Sequence, residues 1–337
     1  MKARTAAGLV GLILLSAAAP AAAQPAANVP AGKTFKMLIG FGVGGGYDLW
    51  ARAVAAHMGS HLPGNPTVVP QNMPAAGSLA AASYLYEIAP KDGTVLGLIG
   101  RDAPLAPITG VAGARFDPTK LSWIGTPTKE TNICIAYHTA AVKTVQDLYD
   151  KELVMGDVGP GSGTHAYPKV LAALLGMKFR LVSGYPSSAD IFLAMERGEV
   201  QGICESLDSV RTRRPDWIST KQVTVLFQAP QANPQLEGVP LARDLARNDE
   251  ERAAIDFLYA GQGIGRPFAA PPNLPPDALK MLRDAFDATM RDPDFIADVK
   301  KQKFDLDPET GAGLAGLSNK IYATPKPIVY KVTALVN

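Results

Sequence analysis

Apolar positions along the chain come in short runs that alternate with longer amphipathic stretches. Met37, Leu38, Ile39 and Phe41 form a run of the density expected of a buried parallel strand. Glycines follow at 42, 44, 45 and 46, and from Tyr47 the spacing turns helical. Trp50, Ala53, Val54, His57 and Met58 then share one face until Pro63-Gly64 stops the helix. The same alternation predicts strands at 67–70, 94–99, 121–125, 132–137, 153–155, 179–182, 200–204 and 223–227. Helices are predicted at 79–88, 144–150, 164–175 and 189–197. After an extended stretch at 259–268, residues 277–290 form an amphipathic helix with Leu279, Leu282, Ala285, Phe286 and Met290 inside, and helices at 293–302 and 310–323 end the chain. Strands alternating with helices argue for an α/β protein with mainly parallel sheets. Such sheets bind ligands beyond the carboxyl ends of their strands.

Two of these strand–helix junctions carry glycine loops. The first is Gly42 to Gly46; the second runs from Gly156 to Gly163, with Thr164 opening the next helix. Glycine lets a ligand approach the backbone closely. A helix start adds unpaired N–H groups and the positive end of the helix dipole, so each junction suits an anion. The plain alternative is a tight turn without a ligand. A dinucleotide fingerprint would need glycine at 47, where Tyr stands, and an acid after the second strand, which ends in Gln71-Asn72. No Gly-Lys-Ser/Thr follows the first glycine loop, so a Walker-type phosphate loop fails there. Arg101, Asp102 and Glu205 also fall at predicted strand ends.

Length and composition narrow the class. The 337 residues suffice for two lobes, and 47% hydrophobic with 19% charged residues is ordinary for a soluble protein. A net charge of +2 argues against a nucleic-acid binder, and Arg211, Arg213 and Arg214 read as a solvated face. Residues 1–23 read as a signal peptide: Lys2 and Arg4 precede an apolar stretch at 6–18, and Ala21-Ala22-Ala23 offers a cleavage site before Gln24. An exported, periplasmic protein is expected. In that oxidising space Cys134 and Cys204 are either a disulfide or two buried thiols. No metal site is expected, since His57, His61 and His138 are scattered.

The motifs together resemble one family, the periplasmic substrate-binding proteins of tripartite tricarboxylate transporters (Bug-type proteins). That family opens with Pro-x-x-Pro-Gly-Gly-x-x-Asp-x-x-Ala-Arg, whose second half is matched by Gly44-Gly45-Gly46-Tyr47-Asp48-Leu49-Trp50-Ala51-Arg52. Gly40 and Val43 replace its two prolines. The block Asn-x-Pro-Gly-Ala-Gly appears as Asn72 to Gly77, the turn Ala-Pro-x-Asp-Gly as Ala89 to Gly93, and the loop Gly-x-Gly-Ser-x-x-His as Gly159 to His165. The usual Tyr-Lys-Gly departs to Gly184-Tyr185-Pro186. The resemblance implies a type II periplasmic-binding-protein fold: two α/β lobes, 33–131 plus 262–337 and 132–261, joined by hinge crossovers around a ligand cleft. It also implies a small organic acid held by backbone N–H groups, membrane transporter subunits as partners, no cofactor, a monomer and no enzymatic activity.

Within that frame each residue has a candidate role. The backbone of Gly44, Gly45, Gly46, Tyr47 and Gly163 and the hydroxyls of Ser162 and Thr164 are candidate carboxylate contacts, with simple helix capping as the alternative for the side chains. Asp48 is better placed to organise its loop, because a carboxylate there would repel an anion. Arg101 either forks onto a distal carboxylate or pairs with Asp102. Tyr185, Ser187 and Ser188 approach from the other lobe, and Glu205 either meets an interlobe donor or caps its strand. His165 with Ser162 suggests a hydrolase, but a His three residues on lies on the same helical turn and no nucleophile elbow is present. A secreted α/β enzyme and a soluble module serving a membrane sensor kinase are the alternative functions.

Overall fold

A computed structural model describes residues 34–336, so the signal peptide reading at 1–23 lies outside the described residues. The first lobe begins with β1 (Phe35–Ile39), α1 (Gly46–Met58), β2 (Val68–Asn72), α2 (Leu79–Glu87), β3 (Val95–Leu98), α3 (Leu105–Ile108) and β4 (Ser122–Thr126). The chain then crosses into the second lobe: β5 (Asn132–Tyr137), β6 (Leu153–Asp157), α4 (Gly163–Leu175), β7 (Phe179–Ser183), α5 (Ser188–Glu196), β8 (Gly202–Ser206), α6 (Leu207–Arg213), β9 (Val223–Gln228) and α7 (Asp249–Leu258). It returns as β10 (Phe268–Ala270), α8 (Pro276–Thr289), α9 (Pro293–Lys301), β11 (Glu309–Thr310), α10 (Gly311–Tyr322) and α11 (Lys326–Val336). The strands build two sheets, ordered β11-β4-β10-β3-β1-β2 and β7-β6-β8-β5-β9.

The sheets are mixed, which corrects the expectation of mainly parallel ones. β1 runs parallel to β2 and β3, and β6 to β7 and β8. β10 enters the first sheet antiparallel to both β3 and β4, and β5 lies antiparallel between β8 and β9. Two of the reversed strands follow the crossovers, β5 the outgoing crossing and β10 the return, and the short edge strand β11 runs antiparallel to β4. Strands buried on both faces look alike in sequence whichever way they run. Register also decides the cysteines. Cys134 and Cys204 lie directly opposite on β5 and β8 and form a disulfide.

Local sequence explains most elements. Trp50, Val54 and Met58 of α1 are fully buried, and Trp50 stacks on Phe304 with centroids 4.4 Å apart. His57 of the predicted face instead sits at its edge, 3.4 Å from Asp298. In α8 Leu282, Ala285 and Phe286 are buried as expected, while Leu279 is half-buried and Met281 takes the inner place. Four helices fall where no helix was expected, the first being the single turn of α3 after Arg101-Asp102. α6 carries Arg211 and Arg213 but buries Leu207 and Val210, α7 buries Ala254, Ile255 and Leu258, and α11 packs against α4 and α7. The last helix therefore ties the returning chain to the second lobe.

The lobes touch directly across the cleft. Gly42 donates its N–H to the Pro186 carbonyl at 2.9 Å, Gly77 to Val158 at 3.1 Å, and Gly161 to Ala76 at 3.1 Å. The loop on the first-lobe side is conformationally costly: Ala76, Gly77 and Ser78 all have positive φ, at 48°, 65° and 81°. Two are non-glycine, and strain of this kind gathers at ligand clamps.

Candidate functional site

Where the lobes meet, a pocket lies at the carboxyl ends of the strands. Three helices start at its wall. α1 contributes Gly45, Gly46 and Tyr47; α4 contributes Ser162, Gly163 and Thr164; α5 contributes Ser187 and Ser188. The segment after β3 adds Gly100, Arg101 and Asp102, β8 adds Glu205, and Phe41 and Val158 supply apolar wall.

The start of α1 is shaped by its glycines. Gly44 has φ +84°, a conformation that L side chains rarely adopt, and Gly45 is the extended N-cap. Asp48 holds this loop rather than facing the cavity. Its carboxylate accepts from Gly44 N–H at 2.8 Å, Arg52 Nε at 2.9 Å and Asn72 Nδ2 at 2.8 Å. Burial pushes its pKa up, but these donors outweigh that and hold it below the ordinary range.

At α4 the Ser162 hydroxyl donates to Gly159 O at 2.8 Å and lies 2.7 Å from Thr164 Oγ1, which accepts from Val158 N–H at 3.1 Å. Both hydroxyls therefore brace their own loop. Gly163 N–H donates to Asp102 Oδ2 at 3.0 Å, and Tyr167 OH donates to Asp102 Oδ1 at 2.6 Å. One helix start is thus already occupied by a protein carboxylate. Burial dominates at Asp102 and raises its pKa, against the lowering pull of Arg101, Tyr167 and the Gly163 N–H.

Beneath the cavity runs a buried charge relay. Arg101, 3% exposed, pairs through Nη1 with Glu130, and its Nε lies 3.8 Å from Asp102. Glu130 also pairs with Arg266 and accepts from Ser206 Oγ at 3.0 Å. Arg266 donates to Ser209 Oγ at 2.7 Å, and its guanidinium lies 4.2 Å from the centroid of the Tyr47 ring. Tyr47 OH accepts the Arg101 N–H at 3.1 Å, and burial pushes the phenol up to about 12. Glu130 and Arg266 sit in the two crossovers between lobes, so this relay lies in the hinge. Nearby, Trp50 Nε1 donates to Asp208 Oδ2 at 3.1 Å, joining α1 to α6.

The structure gathers most of the residues expected from sequence and leaves four outside the wall. Gly44 and Asp48 stand behind it. The His165 ring turns away, with Nδ1 3.2 Å from Asp157 Oδ2, and the Ser162 hydroxyl bonds to Gly159 and Thr164 instead. Tyr185 lines a separate, more open pocket that shares Phe41 and Val158 with the first. Arg101 reaches the wall with one guanidinium nitrogen committed to Glu130. Sequence reasoning missed Glu130, Arg266 and Asp208, because charged residues between predicted elements read as surface.

Two lobes, two crossovers and a cavity at strand ends define the type II periplasmic-binding-protein fold. Among solved structures the chain is similar to the periplasmic binding protein BugD, 20% identical with a TM-score of 0.67, over 90% of this chain and 96% of that one. It is similar to MatC from Rhodopseudomonas palustris with bound malate (18% identical, TM-score 0.68, 88% and 98% covered). It is also similar to an R. palustris protein with adipate (16% identical, TM-score 0.68, 89% and 97% covered). At these identities the likeness establishes the fold. No protein-family model and no curated protein matches the chain.

Proposed function

We propose that this protein is a periplasmic solute receptor of the tripartite tricarboxylate transporter type. It captures a small carboxylate-bearing molecule between lobes 33–131 plus 262–337 and 132–261, and as a monomer delivers it to the transporter's membrane subunits. The observation that carries this reading is the convergence of three helix N-termini on one interlobe cavity. The first N–H groups of a helix have no partner within it, and together with the dipole they favour an anion. With α4 facing Asp102, the starts of α1 and α5 are left for the ligand. Charge-assisted hydrogen bonds contribute about 1.5–3 kcal/mol each, so three on one carboxylate account for most of the roughly 8 kcal/mol of a micromolar complex. The malate of MatC and the adipate of the R. palustris protein support the ligand class. The commitment of Ser162 to Gly159 and Thr164, and of His165 to Asp157, supports binding without chemistry.

A thermal-shift screen of residues 24–337 against organic acids, amino acids and neutral controls tests this. Binding to the native state stabilises by about 2.7–4.1 kcal/mol at 100 to 1,000 times the dissociation constant. Shifts confined to carboxylate-bearing compounds, recovered unchanged afterwards, are expected. Shifts confined to neutral compounds, or turnover of a binder, would refute the proposal.

A further inference from the structure

We propose that closing of the two lobes takes up a proton at Asp208, a side chain buried in the contact between them, so that acid favours the closed form. This adds a control to the receptor reading above and rests on it only for the opening and closing of the cleft.

The first ground is the position of α6. The helix belongs to the second lobe, yet its residues meet the first lobe along most of its length. Asp208 Oδ2 accepts from Trp50 Nε1 of α1 at 3.1 Å, and Ser209 Oγ accepts from Arg266 Nη2 at 2.7 Å. Arg211 Nη1 donates to Asp305 Oδ2 at 3.0 Å, and a Cβ on Gly44 would lie 3.3 Å from Arg213 Nη2. Trp50 is fixed in the first lobe by its stacking on Phe304. Parting the lobes along α6 therefore draws Asp208 away from Trp50 and admits water to it.

The second ground is the surroundings of the carboxyl. Asp208 is 8% exposed, and its Oδ1 is buried with no hydrogen-bond partner among the described residues. Burial of this kind penalises the anion far more than the neutral acid. The charged groups around it do not compensate. Arg266 on the return crossover favours the anion, but it is shared with Glu130. Glu130 on the outgoing crossover and Asp305 after α9 both oppose it, and Asp305 is itself paired with Arg211. The outcome is a carboxyl held at about 6, with burial as the largest cause. Once hydrated, it titrates near the ordinary value of about 3.9. The closed form then binds a proton between about pH 4 and 6 that the open form releases. By this linkage the closed-to-open ratio rises about 10-fold from pH 7.5 to pH 5.

The test measures the distance between the lobes without any ligand. Residues 24–337 carry spin labels at two exposed positions, Lys91→Cys on the first lobe and Ala173→Cys on the second, and electron-resonance distances are recorded at pH 7.5 and pH 5. The closed population is expected to gain about 10-fold on the open one at pH 5. Asp208→Asn, which stays neutral at both values, is expected to give the same ratio at each, equal to that of the unsubstituted protein at pH 5. A distance distribution that does not change with pH would overturn the proposal, as would a pH response that Asp208→Asn retains. Neither result touches the receptor reading, which falls if no carboxylate-bearing compound shifts the melting temperature.

Discussion

Closure of the lobes depends on Gly77, and replacing it with alanine tests that dependence. A Cβ on Gly77 would lie 2.5 Å from Ser162 N, 2.7 Å from Gly161 C and 2.8 Å from Gly159 O. All three are backbone atoms of the second lobe, so no side chain can swing aside. The substitution costs twice. Alanine at φ +65° is strained by about 1–2 kcal/mol, which lowers stability whether the cleft is open or shut. Parting the loops removes the bonds from Gly77 to Val158 and from Gly161 to Ala76, each worth about 0.5–1.5 kcal/mol, and this part opposes closure alone. Loss of about 1–3 kcal/mol from the closed form weakens a ligand that needs closure about 5- to 150-fold. Gly113→Ala is the control, with φ +86° and open space around its added Cβ. Titration calorimetry should show weak binding by Gly77→Ala and normal binding by Gly113→Ala, and scattering should show ligand-induced compaction only in the control. Equal affinities in the two variants would refute the reasoning.

Other perturbations reach the hinge and the second sheet. Burial holds the Asp208 carboxyl at about 6, against the lowering pull of Arg266, with Glu130 and Asp305 adding to the rise and Trp50 donating to it. The folded protein then keeps a proton between pH 4 and 6 that the unfolded chain, near 3.8, releases, so stability falls as pH rises through that window by about 2–3 kcal/mol. Asp208→Asn should raise the melting temperature at pH 7.5, leave it unchanged at pH 4, and flatten the profile between; an unaltered profile would assign the titration elsewhere. Glu130→Ala strands Arg101 and Arg266 without their shared partner and should cost about 3–5 kcal/mol in urea denaturation; a loss under 1 kcal/mol would show that the relay carries little. The Cys134–Cys204 disulfide closes a loop with a sequence separation of 70, so in the chain-entropy model its reduction should cost about 4 kcal/mol; an unchanged midpoint under reductant would argue against that model here.

Much of the architecture was legible because period and punctuation agree. Both glycine loops mark a strand end and a helix start, and the structure puts α1 and α4 there within one residue of expectation. The cap of α7 was passed over: the Asn248 side chain accepts the Glu251 N–H at 2.9 Å, but no helix was expected there. Strand direction was not legible, because β5 and β10 differ from their neighbours only in which way the chain returns. The disulfide followed from register, which placed Cys134 opposite Cys204. At the site, the backbone donors could be read from glycine and helix spacing. The charges could not. Arg101 depends on Glu130, and Arg266 on Glu130 and Tyr47, through contacts that span both crossovers, and Asp102 fills a helix start more than 60 residues away in sequence.

The central claim is that a carboxylate binds between the lobes on helix starts. A crystal structure of residues 24–337 with the tightest-binding compound of the screen tests it most directly. The account predicts the ligand in the cavity lined by Gly46, Ser188 and Glu205, its carboxylate within hydrogen-bond distance of backbone N–H groups at the starts of α1 and α5. A ligand seated elsewhere, or one whose carboxylate meets only side chains while those N–H groups face water, would contradict it.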